Sequence, residues 1–591
     1  MKDRNLYPIN MLRVCKFSLV AVMFFMGMAP AMAQDETEVE ETEVVVRKPV
    51  KKPTKNYEMM EIKGKVVDAA TGEALAGVKL MSYHNSYYTA MTDEDGTYTI
   101  KVPTFVTSLS ANLEGYNMVR VPLNGRKENV DIQLFSERFV TDYTASTVGS
   151  KSVGIKDFEE TTSFTADDEI HNRLGGDVRA ITRSALNAQG SVMFINGLNS
   201  LNSNAQPLIV IDGVVFDMMY DSQMLHAGYF NNLLSAINMD DIASIEVLKN
   251  GTAIYGAKAA NGVIVIKTKR NTSMATRIDF NAQFGVELLP KTMDVMNADE
   301  YRGYASQLLR TTGSKLTDFK FLNNDPNYYY YNMYHNNTDW KDIVYNEAFT
   351  QNYSLHIQGG DDVANYNLSV GFADANATLR MNDMTRFNIR FNSDIVLSNQ
   401  FTTSFDASYT NITRDLRDAG WLSDYSTTPL ASTNALALIK SPFLSPYAFS
   451  TDGRESSFLA SADNYLYEVL GDNPSLANPK HILDEGEAKN KNHTDLTHIN
   501  LVIAPKWQPS KNFSLTERFS YTMQSFDESY FTPRDGMPAR LYEGKEALTR
   551  NTQNSLFTQH NGVFSDTRAD GAIPMGEHRL DIFGGVRFMK L

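Results

Sequence analysis

From about residue 276 onward, apolar and polar side chains alternate with period two in segments of about ten residues, and nothing else constrains the fold as strongly. Tyr366, Leu368, Val370 and Phe372 fall on one side of such a segment; Asn365, Asn367, Ser369 and Gly371 fall on the other. Phe387, Ile389 and Phe391 repeat the pattern, then Phe401, Phe405 and Tyr409, then Ile499, Leu501 and Ile503. Phe513, Leu515, Phe519 and Tyr521 follow, and last Leu580, Ile582, Val586 and Phe588. About nine segments can be counted, each near the length that a tilted membrane strand needs. A soluble sandwich alternates too, but its polar face carries more Lys and Glu, whereas these faces carry Asn, Ser, Thr and Gly. Trp507, Tyr353, Tyr366 and Tyr409 are expected at strand ends, as an interfacial girdle of aromatic rings. The long polar stretch 413–495 is expected to be an external loop.

Composition narrows the function classes. Of 591 residues only 21% are charged, with 29 Tyr and 32 Phe, and the net charge is -15. A nucleic-acid binder needs a clustered basic surface, so nucleic acid is excluded as a partner. The run Lys48, Lys51, Lys52 and Lys55 is broken by proline and reads as a solvated linker. Residues 1–33 read as a signal peptide: Lys2, Arg4, Arg13 and Lys16 precede the apolar run Phe17 to Met28, and Ala31-Met32-Ala33 fits the cleavage rule. The single cysteine, Cys15, lies in that leader, which leaves a mature chain without thiol catalysis, disulfides or cysteine-rich zinc sites.

Residues 34–60 are acidic, then basic with Pro49 and Pro53, and are expected to be a disordered linker. Within it Glu43, Val44, Val45, Val46 and Arg47 form a β-prone segment suited to strand addition at a partner's sheet edge. Residues 61–135 show short strands with turn signals about every ten residues, the pattern of a small β-sandwich. Residues 150–272 mix buried strands with helical stretches and read as a compact α/β domain. Its strands include Pro207 to Ile211, running into the turn Asp212-Gly213, then Ile242 to Leu248 and Val263 to Ile266.

Rival chemistries fail on spacing. Asp93-Glu94-Asp95-Gly96 lacks the later bidentate Glu of a calcium loop and is better explained as a hairpin turn. Gly251, Gly256 and Gly262 match neither phosphate-loop template. His493 and His498 lack a third ligand, no nucleophile elbow is present, and neither an enzyme activity nor a cofactor nor a metal is expected. Tyr328, Tyr329, Tyr330, Tyr331 and Tyr334 could form a stacking platform for ligand or pack at an interface.

These motifs together resemble the SusC/RagA-like branch of TonB-dependent outer-membrane transporters. Ile62-Lys63-Gly64-Lys65-Val66-Val67-Asp68, Thr71 to Val78 and Thr92 to Tyr98 look like the carboxypeptidase-regulatory-type domain of that family. The plug motifs are Gln206 to Val214, Ile242 to Lys249, Ala253 to Gly256 and Ala259 to Ile264. They carry Pro207, Asp212, Gly213, Glu246, Lys249, Tyr255, Gly256, Asn261 and Gly262. Asn337 to Trp340, followed by Gly359-Gly360, is similar to the family's entry into the barrel. Three departures stand out: Ile195-Asn196-Gly197 replaces the usual Ile-Arg-Gly, the segment after Lys249 is shortened, and about nine strand segments stand against the family's 22.

The resemblance implies a mainly β protein: a β-sandwich, an α/β plug, and in 275–591 the first part of a large antiparallel transmembrane β-barrel. It implies import of large solutes, of the oligosaccharide or oligopeptide class, across the outer membrane of a Gram-negative cell. The N-terminal segment and plug would face the periplasm, TonB would supply the energy by pulling on a box for which 43–47 is the candidate, and a SusD-like lipoprotein would act as lid. The partners implied are TonB, that lipoprotein, outer-membrane lipid and a glycan or peptide ligand. The alternative is a truncated, non-transporting product or a signal or interaction receptor of the same family.

Overall fold

The computed structural model describes residues 57–590, except 135–152, 419–430, 462–475 and shorter breaks of at most seven residues. The leader and the candidate segment 43–47 lie outside the described residues. The first described unit is a small two-sheet sandwich that starts at Met59, two residues inside the expected linker. Strand Met59–Asp68 pairs antiparallel with Thr97–Pro103 and parallel with Ile132–Leu134. The facing sheet has the order Asn85–Met91, Lys79–Ser82, Ser108–Asn112, Val119–Pro122. Ile62, Val66, Leu80, Ile100, Val102 and Leu109 fill the space between, each contributing about 1.5–3 kcal/mol by leaving water. Asp93–Gly96 is a turn, closed by the Gly96 N–H on the Asp93 carbonyl at 3.0 Å and the Thr97 N–H on Asp93 Oδ1 at 2.8 Å.

The second unit is α/β. Helix Ala166–Leu174 buries Ala166, Ile170 and Leu174, one stripe at four-residue spacing, beside a five-stranded sheet. That sheet has the order Val214–Phe216, Leu208–Ile211, Val263–Thr268, Ile242–Leu248, Val153–Ile155. Leu208–Ile211 and Val263–Thr268 run parallel, which accounts for their continuous Val/Ile composition: both of their faces are covered.

The third unit is one antiparallel sheet of nine strands, from Arg277–Glu287 to His578–Lys590, paired in sequence order. The connections at one end are tight: 361–363, 399–400, 511–512 and 576–577. The other end carries 288–347, 416–492, 533–551 and the shorter 376–383. Short turns on one side and long loops on the other are the layout of an outer-membrane barrel, with the long loops external. Two of these loops fold onto one another. Helix Ala298–Thr311, begun by an Asn297/Glu300 capping box, buries Ala298 and Ala305 against Phe321, Tyr334, Trp340 and Phe443. Thr338 donates to the Pro442 and Leu444 carbonyls at 2.8 and 2.6 Å, and Trp340 Nε1 to the Ser441 carbonyl at 3.0 Å.

The expected aromatic girdle is corrected in part. Trp507 and Tyr366 do stand near the short-turn end of their strands, but Tyr353 and Tyr409 lie mid-strand. There they pack across to Phe372 and Phe387 at 6.5 and 6.4 Å between centroids, a cross-strand ring contact.

Candidate functional site

The inward face of the nine-stranded sheet is largely polar, with an apolar patch at Met384, Ile412, Leu496 and Phe526, and the plug packs against it. On Met384–Ser398, Arg386, Asn388, Arg390 and Asn392 are at most 9% exposed, whereas Phe387, Ile389 and Phe391 are 36–39% exposed. The same inversion runs through Asn367 and Ser369, Asp406 and Thr410, and Ser520, Gln524 and Glu528. Water cannot be the solvent on the apolar side of such strands over this many positions without an aggregation-prone surface.

Charge is concentrated where plug and sheet meet. Arg390 donates to Asp212 Oδ2 at 2.6 Å. The Thr268 N–H and Oγ1 donate to the same carboxylate at 2.9 and 2.8 Å. Burial alone would push Asp212 up, but Arg390, Arg270 and the Thr268 bonds hold its carboxyl below the usual range. Arg270, just after the last plug strand, reaches Asp394 at 2.9 Å and Asp406 at 2.5 Å. Lys269 offers its carbonyl to Asn367 and Asn392, each at 3.1 Å. Further along the sheet, the Arg386 guanidinium donates to the Phe164 and Ser235 carbonyls at 2.8 and 3.2 Å, and Arg414 to Ser235 Oγ at 3.0 Å. Ser369 donates to Asp241. Arg587 donates to the Ile254 carbonyl at 3.2 Å and lies over the Tyr255 ring at 5.2 Å.

The plug-motif residues divide by what they touch. Asp212 and Tyr255 meet the sheet directly. Gly213, at φ 81°, leaves the space that Arg518 occupies: a Cβ there would stand 2.1 Å from Nη1. Asn261 ties the loop by donating to the Asn204 and Gln206 carbonyls at 2.8 and 3.3 Å, and Gly262 beside it packs on Ile195. Lys249 pairs with Asp177 at 2.7 Å and Glu246 with Lys267 at 3.7 Å, both within the plug. Gly256 ends the turn Thr252–Tyr255 with φ 71°, and Pro207 precedes the strand Leu208–Ile211. These residues build the plug rather than converge on a ligand.

The tyrosine cluster is likewise split. Tyr329 is exposed; with Tyr330, Met333, Phe449, Asn332 and Ser450 it lines a cleft of about 80 Å³ in the folded loops. Tyr329 and Tyr330 meet edge to face at 4.8 Å, Tyr328 and Tyr330 at 5.6 Å, and Lys320 lies over Tyr330 at 4.9 Å. Tyr331 stacks on His335 at 3.9 Å, and burial, reinforced by the Arg302 charge, lowers the His335 pKa. Tyr334 is corrected: it is fully buried beside Phe443, so it serves the loop core and presents no face to a ligand. Among the described residues no three His, Cys, Asp or Glu side chains converge as a metal site requires.

Sequence reasoning missed Arg270, Arg386, Arg390, Arg414 and Arg587. A signal was there: Arg386, Arg390 and Asp394 fall on the polar side of an alternating strand whose other polar residues are uncharged. Charges at such positions face a partner inside the lumen, not lipid.

Comparison with known proteins fits this geometry. Residues 145–263 match the TonB-dependent Receptor Plug Domain and residues 61–135 the Carboxypeptidase regulatory-like domain. The TonB-dependent receptor SusC of Bacteroides thetaiotaomicron is 29% identical over 346 residues, covering 57% of this chain and 32% of the relative. A TonB-dependent receptor of Formosa agariphila is 24% identical over 541 residues, covering 88% of this chain and 48% of the relative. The chain thus spans about half or less of the length of these curated relatives, which are receptors rather than enzymes. The RagAB peptide importer in its closed-closed state shares the fold, with a TM-score of 0.55 at 19% identity over 75% of this chain and 48% of that one. Its open-open state gives 0.56 over 75% and 47%. With plug, accessory sandwich and two-faced sheet in one order, the chain is similar to the SusC/RagA-like TonB-dependent receptors.

Proposed function

We propose that this chain supplies the plug and the plug-holding strands of an outer-membrane importer of large solutes, energised by TonB. Receptors of this type are outer-membrane proteins. The observation that carries the reading is the two-sided sheet: apolar side chains outward, and arginines and carboxylates inward, bonded to a globular domain that fills the space beside them. Ionic and carbonyl contacts fix the plug's register on the sheet, beside an apolar cluster in which Ala373, Met384, Ile412, Leu496 and Phe526 of the sheet pack with the plug core.

The long-loop end faces outward in this reading, and the plug and N-terminal segment face the periplasm. Solute enters from the side of the folded loops, where the cleft at Tyr329 and Tyr330 contacts it, while a SusD-like surface lipoprotein covers the loops. Tyr328 and Tyr331 stand beside that cleft. The cargo class is oligosaccharide or oligopeptide. Residues 43–47 serve as the TonB box, adding as a strand to the edge of a TonB sheet.

The test uses the full-length protein in its own outer membrane, with labelled oligosaccharides and oligopeptides as probes. Collapsing the proton gradient, or deleting 43–47, should abolish accumulation and leave surface binding in place. Accumulation that survives the uncoupler removes the energised-import reading; accumulation that survives only the deletion moves the box elsewhere.

A further inference from the structure

One position on the outward side of the barrel sheet breaks its pattern. Strand Phe513–Thr532 turns Arg518 inward, beside Gly213 of the plug, and turns Leu515, Phe519 and Tyr521 outward, where they are exposed. Glu517 stands between Leu515 and Phe519 with the same outward parity, and the strand next to it leaves it half-buried. On that neighbour, Thr552–Met575, Thr567 is paired with Glu517 and Ser565 with Phe519, so both hydroxyls lie on the outward side. Both donate to the carboxyl: Ser565 Oγ to Oε1 at 2.7 Å, and Thr567 Oγ1 to Oε2. The outward carboxylates Asp374, Asp495 and Asp527 are placed differently. They lie beyond Phe372, Ile499 and Met523, toward the long-loop ends of their strands and clear of the apolar band.

Register fixes the depth of Glu517. Trp507 is paired with Leu515 close to the tight turn 511–512, and its ring meets Phe513 edge to face at 6.4 Å. Aromatic rings at a strand end mark the headgroup level of the nearer leaflet. Glu517 is two residues past Leu515, which is about 5 Å further into the lipid for a strand tilted by about 40°. A glutamate side chain and a headgroup leaning inward together cover that distance.

A carboxyl can accept at about four lone-pair sites, and the two hydroxyls use one on each oxygen. Among the described residues no Lys, Arg or His is paired with Glu517. Hydrocarbon offers no donor to the other sites, and a polar group buried in it without one is costly. The donor for those sites comes from the lipid side.

We propose that Glu517, held by Ser565 and Thr567, is a binding site on the barrel surface for a lipid with a primary-amine headgroup, of the phosphatidylethanolamine class, in the leaflet nearer the short turns. The ammonium of such a headgroup brings positive charge and three N–H donors, as a lysine ammonium does. A choline headgroup brings the charge without an N–H and cannot bond the carboxyl in this way. A lipid held here pins this part of the sheet at one depth in the bilayer. The site rests on the lipid-facing reading of the sheet given above.

The experiment places the full-length protein in vesicles of equal parts phosphatidylethanolamine and phosphatidylcholine, with brominated chains on one lipid or on the other. Bromine quenches tryptophan on contact, and the Trp507 signal is obtained by subtracting that of Trp507→Phe. The expected result is stronger quenching by the ethanolamine lipid, a roughly two- to fivefold preference of the size of a pair open on one side. In Glu517→Leu the preference should vanish; leucine suits a lipid-facing position, so the fold is kept. Equal quenching by the two lipids in the protein that keeps Glu517 overturns the proposal, whatever the variant does, and leaves the lipid-facing reading standing. A preference that persists in Glu517→Leu overturns it too, since another group would be its source. Quenching by neither lipid removes the lipid-facing side itself and the proposal with it. No cargo and no TonB enter these readouts, so a failed lipid site and a failed import reading remain distinguishable.

Discussion

Strand Thr97–Pro103 of the sandwich and strand Met384–Ser398 of the large sheet both alternate strictly, yet they turn opposite sides to the protein interior. In the first, Tyr98, Ile100 and Val102 are buried while Thr97, Thr99 and Lys101 face water. In the second, Arg386, Asn388 and Arg390 are buried while Phe387, Ile389 and Phe391 face out. The alternation fixes a two-faced strand in both. Which face turns inward depends on what lies on each side: an apolar partner sheet and water for the sandwich, a polar plug and lipid for the barrel sheet. The composition of the polar side marks the difference, because a lumen tolerates Asn and Ser packed on a plug, whereas open water favours Lys and Glu.

Substitutions can break this contrast. Ile100→Asp should have the largest effect, unfolding the sandwich with a loss above about 4 kcal/mol, read by thermal unfolding and proteolysis; Thr99→Asp on the facing side should stay within about 0.5 kcal/mol. Arg390→Met, on the inward side of the barrel sheet, removes a partner from a pair only 11% and 12% exposed. It should cost about 3–5 kcal/mol in chemical denaturation, and adding Asp212→Asn should restore much of that. Phe391→Arg, on the outward side, should cost about 2–4 kcal/mol in urea unfolding from phospholipid vesicles, which water on that face would reduce to almost nothing. Tyr98→Phe forfeits the bond to the Val130 carbonyl at 2.7 Å and should cost about 1 kcal/mol.

The plug adds a pH test. Burial, reinforced by the neighbouring Asp167 charge, pushes the Asp168 carboxyl up to about 6. A carboxyl raised above its unfolded value of about 4 stabilises the fold below that pH, and the contribution fades as pH rises through about 6. Asp168→Asn should flatten this part of the plug's stability profile, measured by denaturant titration at stepped pH.

Much of the fold was legible because the informative patterns are local. Period two exposed the barrel strands, punctuation by Gly and Asp-Gly exposed the sandwich, and Val/Ile runs exposed the covered plug strands. The site was less legible. Tyr334 looked like its neighbours in the tyrosine run, and only the fold of loop on loop buried it against Phe443. Arg270 and Asp406 are 136 residues apart, and no local pattern joins them.

The sequence by itself determined the three kinds of β unit and the family resemblance, since side-chain alternation, turn chemistry and motif order are written along the chain. Only the tertiary structure decided which charges meet. Asp212 finds Arg390, and His226 finds Glu528 and Asn492, because a plug docked against a sheet brings together groups that are far apart in sequence. Hydrogen bonds and ion pairs act over a few ångströms of space, whatever the distance along the chain.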